Sequence, residues 1–116
     1  MKIIVPKETR PGECRVALVP ESCKKLIQAG YAVSVEKGAG EAAFYPDSAY
    51  LEIGCAVEHD TAAMVMSADM VLKVNPPASD AAGRNETEWM KPGTVFLASL
   101  MPLRHLDAVR ALAARK

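Results

Sequence analysis

The side chains with the clearest chemical potential follow a short apolar run at the start of the chain. The stretch from Ile3 to Pro20, IIVPKETRPGECRVALVP, contains a loop with five charged residues, Lys7, Glu8, Arg10, Glu13 and Arg15. A separate cation, Lys73, lies near the end of the apolar run ADMVLKV. A lysine within an apolar strand needs a partner, because burying an unpaired charge is costly.

Arg15 and Lys73 together suggest a site for a small carboxylate or phosphate. Arginine offers a planar fork of donors and lysine a compact charge. If both apolar runs are parallel strands, the two cations share the carboxyl edge of a sheet, where ligands bind in open α/β folds. The alternative is that Arg15 pairs with Glu8 or Glu13 and that Lys73 extends to the sheet edge. The spacing of these residues along the chain leaves both interpretations open. If the pair binds an anion, Arg15→Ala and Lys73→Ala leave folding nearly unchanged.

The segment Gly38-Ala39-Gly40-Glu41-Ala42-Ala43 matches the G-x-G-x-x-A pattern of dinucleotide sites, and Glu58 follows about 20 residues later. Such a site needs a long helix that opens at the glycines. Pro46 interrupts any helix there before a few turns are complete. We therefore interpret the segment as a turn after a strand, and we predict no cofactor-binding residue in this chain.

Composition excludes several classes of function. Fourteen basic residues balance fourteen acidic ones among 116, so no overall field favours nucleic acid or an anionic membrane. Cys14, Cys23 and Cys55 lack metal or disulfide spacing and are typical of reduced thiols. His59 and His105 have no ligand set around them, so we predict no metal site. No apolar run reaches the ~20 residues that a membrane span requires.

Hydrophobic periodicity predicts alternating strands and helices in one domain, residues 1–116. The predicted strands are 2–5, 31–36, 55–57, 69–74 and 94–100, with helices that follow Pro20, Asp47, Asp60 and Pro102, the last ending at Arg115-Lys116. The fold class is therefore α/β, with a mostly parallel five-stranded sheet between two helix layers. We predict a flavodoxin-like strand order, a central position for Thr94–Leu100 and a surface position for the polar residues 78–88. The chain ends on a helix, as expected of a fragment.

Three segments resemble the N-terminal domain shared by alanine dehydrogenases and the α subunit of proton-translocating NAD(P) transhydrogenases. They are KETRPGECRVALVP with the following GAGE loop, ADMVLKVNPP, and KPGTVFLASLMP. The resemblance covers almost the whole chain. It implies a fold similar to the catalytic domains of formate and glycerate dehydrogenases, within a larger subunit of two domains.

The resemblance assigns roles to individual positions. In alanine dehydrogenases, residues matching Arg15 and Lys73 hold pyruvate, and a histidine at the end of the fifth strand is the acid/base. Met101 stands at that histidine's position and cannot exchange a proton. Transhydrogenases also lack the histidine and often have a proline matching Pro102. We therefore predict no catalytic residue here and favour the transhydrogenase interpretation.

That interpretation implies a cytoplasmic, NAD(H)-binding subunit that forms a homodimer. It associates with membrane and NADP(H)-binding subunits, and it passes hydride from NADH to NADP⁺ while protons are translocated. The Rossmann domain that holds NAD(H) follows this segment in the family, so the segment alone is expected to be inactive. The alternatives are an alanine dehydrogenase-like or saccharopine dehydrogenase-like oxidoreductase, and a non-catalytic scaffold module.

Overall fold

The computed structural model describes residues 1–80 and 82–115. Its strands are β1 (Lys2–Val5), β2 (Ala32–Glu36), β3 (Ala56–Glu58), β4 (Met70–Leu72) and β5 (Val95–Leu97). Its helices are α1 (Pro20–Gln28), α2 (Asp47–Glu52), α3 (Thr61–Met66), α4 (Glu86–Trp89) and α5 (Leu106–Arg115), with a 3₁₀ turn at Glu41–Ala43. Ala81, within the predicted polar segment, and Lys116, at the predicted end of the last helix, lie outside the described residues.

The five strands form one parallel sheet, as predicted, with helices on both faces. Side chains alternate across β1, so Ile3 and Val5 face one layer and Ile4 faces the other. On the first face they pack with Cys23 of α1 and Tyr50 of α2, together with Val33, Val35 and Cys55. On the second face Ile4 packs with Met64, Val65, Ala68, Val71 and Met90. The three-layer α/β class is therefore confirmed.

The strand order is β3-β2-β1-β4-β5. A flavodoxin-like order, 2-1-3-4-5, requires β3 to lie beside β1. Here β4 takes that place and β3 forms the outer edge next to β2, so this part of the prediction is wrong. The order depends on the side of β1 to which each crossover returns, and this long-range choice leaves no trace in local periodicity.

The prediction of a central strand at Thr94–Leu100 is also wrong. Only Val95–Leu97 is strand, and it pairs with β4 at the edge of the sheet. Val95 is 48% exposed and Leu97 is 62% exposed. The continuous apolar sequence indicated burial on both faces. Within the described residues, Phe96 packs against the second core cluster, whereas the opposite face of β5 is exposed.

Helices α1 and α3 show how the sequence specifies local structure. Pro20 occupies the first turn of α1, where its missing N–H costs no hydrogen bond, and Glu21 follows near the positive end of the dipole. The Asp60 carboxylate caps α3 by accepting from the Ala63 N–H at 3.0 Å. Both helix starts were predicted from residue type alone.

Gly40 is required by close packing between the loop after β2 and α2. A Cβ atom at this position would lie 2.7 Å from the Tyr45 carbonyl oxygen and 2.7 Å from Cε2 of Tyr50. The Tyr50 side chain cannot retreat easily, because it is fully buried and its hydroxyl donates to the Leu18 carbonyl at 2.8 Å. The backbone at Gly40 has φ of −96°, so the constraint is steric rather than conformational.

We therefore expect Gly40→Ala to lower the free energy of unfolding by about 1–3 kcal/mol, as overpacking does elsewhere. Urea unfolding followed by circular dichroism measures the change. Ala42→Ser, which adds an atom to the exposed face of the same loop, is the control and should be nearly neutral. Equal stability of Gly40→Ala and wild type would show that the loop can move away from Tyr50.

Candidate functional site

A cleft opens at the carboxyl ends of β1 and β4, where the strand order reverses direction. The chain leaves β1 toward α1 on one face and reaches β4 through α3 on the other. The loops that follow these two strands therefore separate, as at the switch points where open α/β sheets bind ligands. The cleft has a volume of about 310 Å³. Its walls are the β1 loop (Glu8, Thr9, Arg10, Pro11) and the segment after β4 (Lys73, Asn75, Pro76, Pro77, Ala78, Ser79, Asp80).

Lys73 lies in the wall of this cleft, as its position after β4 predicts. Its side chain is 1% exposed, so it does not extend to the sheet edge. The ammonium donates to Glu86 Oε1 at 2.6 Å and to the Pro76 carbonyl at 3.3 Å. Glu8 Oε1 lies 3.8 Å from the same nitrogen. Lys73 is therefore a buried cation that the chain's own carboxylates neutralise.

Arg15 is not among the described residues that line the cleft. Its side chain is 69% exposed, and its guanidinium donates two hydrogen bonds to the Glu13 carboxylate, with N–O distances of 2.8 Å each. Hydrogen bonds from Arg15 and then Asn75 hold the pKa of Glu13 well below its ordinary range, and Glu13 in turn raises the pKa of Arg15. The pairing of Arg15 with Glu13 is the alternative that the sequence left open.

Asn75 connects the two predicted site residues indirectly. Its side-chain amide donates to Glu13 Oε2 at 2.9 Å and to Glu8 Oε1 at 3.2 Å. Glu8 also accepts from the backbone N–H groups of Val74 and Asn75, at 3.0 and 3.1 Å. The buried Glu8 carboxylate thus fastens the β1 loop to the segment after β4 and sets the width of the cleft.

The prediction that residues 78–88 lie at the surface is wrong for Glu86 and Thr87, which are buried, and for Arg84, whose side chain is mostly covered. Ser79 and Asn85 form an antiparallel bridge, and Asp80 accepts from the N–H groups of Ala82 and Arg84, both at 3.0 Å. Residues 78–80 and 82–86 therefore form the two arms of a hairpin, which we call the 78–86 hairpin. It turns Glu86 into the interior, where its side chain is 1% exposed, and Arg84 follows at 14%.

Arg84 extends the ion pairs to the end of β2. It contacts Glu86 Oε2 at 2.7 Å and Glu36 Oε2 at 3.0 Å, and its guanidinium lies 5.9 Å from the Trp89 ring centroid. Burial lowers the pKa of Arg84, but the hydrogen bonds and charges of Glu36 and Glu86 outweigh it and raise the pKa overall. We call Lys73, Glu8, Glu86, Arg84 and Glu36 the ionic cluster.

Sequence reasoning missed Glu8, Glu36, Asn75, Arg84 and Glu86 as parts of the site. One available signal was the density of charge in a segment that follows a strand with a buried lysine. Arg10 was also missed. It lines the cleft, and its Nη2 lies 3.3 Å from Nε2 of His105.

The glycine loop after β2 uses its backbone donors within the chain. Gly38 N–H donates to the Asp47 carboxylate at 2.9 Å, and the N–H groups of Ala39 and Glu41 donate to nearby carbonyls. Donors occupied in this way are not free to hold a phosphate. This favours the interpretation of the segment as a turn after a strand. Within residues 1–80 and 82–115, no group of three His, Cys, Asp or Glu side chains is placed to hold a metal ion.

The observed contacts predict different effects on stability for Lys73→Ala and Arg15→Ala. Lys73→Ala leaves the buried Glu8 carboxylate without its cation and leaves Glu86 with Arg84 alone, and we expect it to lower the free energy of unfolding by about 3–5 kcal/mol. Arg15→Ala removes a guanidinium that is largely exposed, while Asn75 still donates to Glu13, so it should leave the unfolding midpoint nearly unchanged. Thermal and urea unfolding of both variants measure the difference. An unaltered Lys73→Ala midpoint would show that the lysine is free for a ligand.

Acid should weaken the ionic cluster through Glu36. Burial by itself would raise the pKa of Glu36. Hydrogen bonds from Arg84, Thr61 and the Lys7 N–H have the larger effect, so the pKa is lowered overall from its ordinary value of 4.5. A carboxyl with a lowered pKa in the folded state stabilises the fold above the pH at which the unfolded carboxyl titrates. That stability is lost as the pH falls through the folded value.

We therefore expect the free energy of unfolding to fall with pH below about 4.5, and to fall less steeply in Glu36→Gln. Urea unfolding at neutral pH and at a series of acidic pH values checks this. Glu58→Gln, at the partly exposed end of the neighbouring strand, is the control and should keep the slope of wild type. Identical slopes for Glu36→Gln and wild type would contradict the assignment.

Comparison with known proteins agrees with this architecture. Residues 4–116 match the family described as alanine dehydrogenase/PNT, N-terminal domain. The chain is 41% identical over all 116 residues to an NAD(P) transhydrogenase subunit alpha polypeptide of Rhodospirillum rubrum, of which it covers 30%.

Two solved structures share the fold over 99% of this chain. One is a transhydrogenase from Sinorhizobium meliloti, with a TM-score of 0.87, 36% identity and 31% of that chain covered. The other is an L-alanine dehydrogenase, with a TM-score of 0.88, 30% identity and 30% of that chain covered. The chain thus spans about a third of the length of these relatives. It belongs to the family of alanine dehydrogenase/PNT N-terminal domains.

Proposed function

We propose that this chain is the N-terminal segment of the NAD(H)-binding α subunit of a proton-translocating NAD(P) transhydrogenase, and that it is inactive alone. The observation that carries the proposal is 41% identity along the whole chain to a relative that is named as an α subunit of this enzyme. In the intact assembly, hydride passes from NADH to NADP⁺ while protons cross the membrane.

The contacts of the cleft are consistent with the proposal that this segment does not bind a substrate anion by itself. Lys73 and Arg15 are both neutralised by internal carboxylates. Met101, which follows β5, has no group that transfers a proton and is not among the described residues that line the cleft. We propose that the cleft forms one wall of a larger site, and that NAD(H) is held by residues beyond this segment.

The proposed partners follow from the same assignment. Among the described helices, none is long and apolar enough to cross a membrane. We propose attachment at the cytoplasmic side through membrane and NADP(H)-binding subunits, and a homodimer of α subunits. We further propose that residues absent from this chain cover the exposed edge of β5, because Val95 and Leu97 present apolar surface there.

An amino-acid oxidoreductase of the alanine or saccharopine dehydrogenase type is the second candidate. A specific observation favours it: a lysine lies in the wall of a cleft at the switch point of the sheet, as a carboxylate-binding residue would. In that case Arg15 and Lys73 would bind the substrate anion. A non-catalytic scaffold module is the third candidate. It predicts that a longer chain neither transfers hydride from NADH to NADP⁺ nor aminates pyruvate.

Activity assays on the full-length protein separate these candidates. The transhydrogenase proposal predicts NADH-dependent reduction of an NADP⁺ analogue when the membrane and NADP(H)-binding partners are present. It also predicts no NADH oxidation with pyruvate and ammonium. Pyruvate amination would contradict the proposal, and the absence of both activities would favour the scaffold. Assay of the 116-residue chain alone is the control and should give no turnover.

A further inference from the structure

Four donors converge on the carboxylate of Glu86. Lys73 Nζ and the Ala78 N–H donate to Oε1, both at 2.6 Å. Arg84 donates to Oε2 through Nε at 3.0 Å and Nη2 at 2.7 Å. An ammonium, a guanidinium and a backbone N–H are the groups that proteins use to receive a carboxylate ligand. The structure therefore contains a complete carboxylate receptor, and its occupant is a side chain of the same molecule.

This receptor borders the cleft at the switch point. Lys73 and Ala78, which supply two of its donors, also line the cleft. The Lys73 ammonium donates to Glu86 and to the Pro76 carbonyl, and the Glu8 carboxylate lies within ion-pair distance of it at 3.8 Å. A small carboxylate that enters the cleft therefore finds the nearest buried cation already satisfied, and it also meets the charges of Glu8 and Asp80.

The 78–86 hairpin holds Glu86 in this position before any ligand arrives. The Glu86 N–H donates to the Ala78 carbonyl at 3.0 Å, and the Asp80 N–H donates to the Arg84 carbonyl at 2.9 Å. An internal group that is ordered in this way competes at a high effective concentration, because its ordering entropy is lost on folding rather than on binding. We therefore expect that a free carboxylate at millimolar concentration does not displace it.

We propose that Glu86 is a specificity-determining residue that occupies the carboxylate position beside Lys73 and thereby excludes small carboxylates from the cleft. The side chains of Glu86 and Lys73 are each 1% exposed, so the pair leaves no room for a second anion between them. The inference rests on these contacts and not on the transhydrogenase assignment. Its test measures binding without turnover, so either proposal can fail alone.

Removing the internal carboxylate should open the receptor to an external one. We expect Glu86→Ala to bind acetate at least about tenfold more tightly than wild type, since one charge-assisted contact accounts for that factor. Isothermal titration with acetate measures the dissociation constants, and the rise of Tm with acetate concentration gives a second readout. Wild type should show no saturable binding at millimolar acetate.

Two variants test whether the site is the one proposed. Glu88→Ala removes an exposed carboxylate from the same helix and should behave as wild type. Glu86→Ala combined with Lys73→Met should lose the acetate binding gained by Glu86→Ala alone. Acetate binding that survives in the double variant would overturn the assignment to Lys73.

The proposal can also be tested if Glu86→Ala does not fold in plain buffer. Acetate should then restore the folded spectrum, and failure of acetate to restore it would count against the proposal. In wild type, the ¹⁵N signal of the Lys73 ammonium should not move when acetate or pyruvate is added. A saturable shift of that signal in wild type would overturn the proposal, because it would show that Glu86 does not exclude carboxylates.

Discussion

The contact between Lys73 and Glu86, buried at the carboxyl edge of the sheet, is the interaction on which the candidate site depends. A buried charge is tolerated only when partners compensate for its lost hydration. The buried Lys73 therefore pairs with Glu86 and Glu8, and Arg84 neutralises part of the additional negative charge. The ionic cluster joins the ends of β1, β2 and β4 to the 78–86 hairpin. Removing one member leaves another without compensation, so the cluster acts as a unit.

The same cluster determines what the cleft offers to a ligand. Cations at the carboxyl edge of a parallel sheet indicate anion binding only if their donors are free. In this chain Glu13 engages Arg15, while Glu86 and the Pro76 carbonyl engage Lys73. The cleft keeps the position and shape of a ligand site, but its strongest donors already have partners. This arrangement agrees with the proposal that the cleft is one wall of a larger site.

Much of the architecture could be predicted because local residue types specify local structure. Pro20 and Asp60 start helices for reasons that hold in any fold, and β-branched runs specify strands. The edge position of β5 could not be predicted, because the run TVFLASL is equally apolar whether a neighbour covers it or not. The buried position of Glu86 was missed because a polar hairpin normally lies in solvent, and only the partner Lys73, thirteen residues earlier, makes burial favourable.

By itself, the sequence determined the α/β class, the parallel sheet, the family resemblance and the position of Lys73 at the carboxyl edge of the sheet. These follow from periodicity, from caps and from motifs within short segments. Only the tertiary structure decided that β4 lies beside β1, that Arg15 belongs to Glu13, and that Glu86 neutralises Lys73. The physical reason is that the compensation of a buried charge depends on which distant groups the fold brings within hydrogen-bonding distance, and spacing along the chain does not encode that distance.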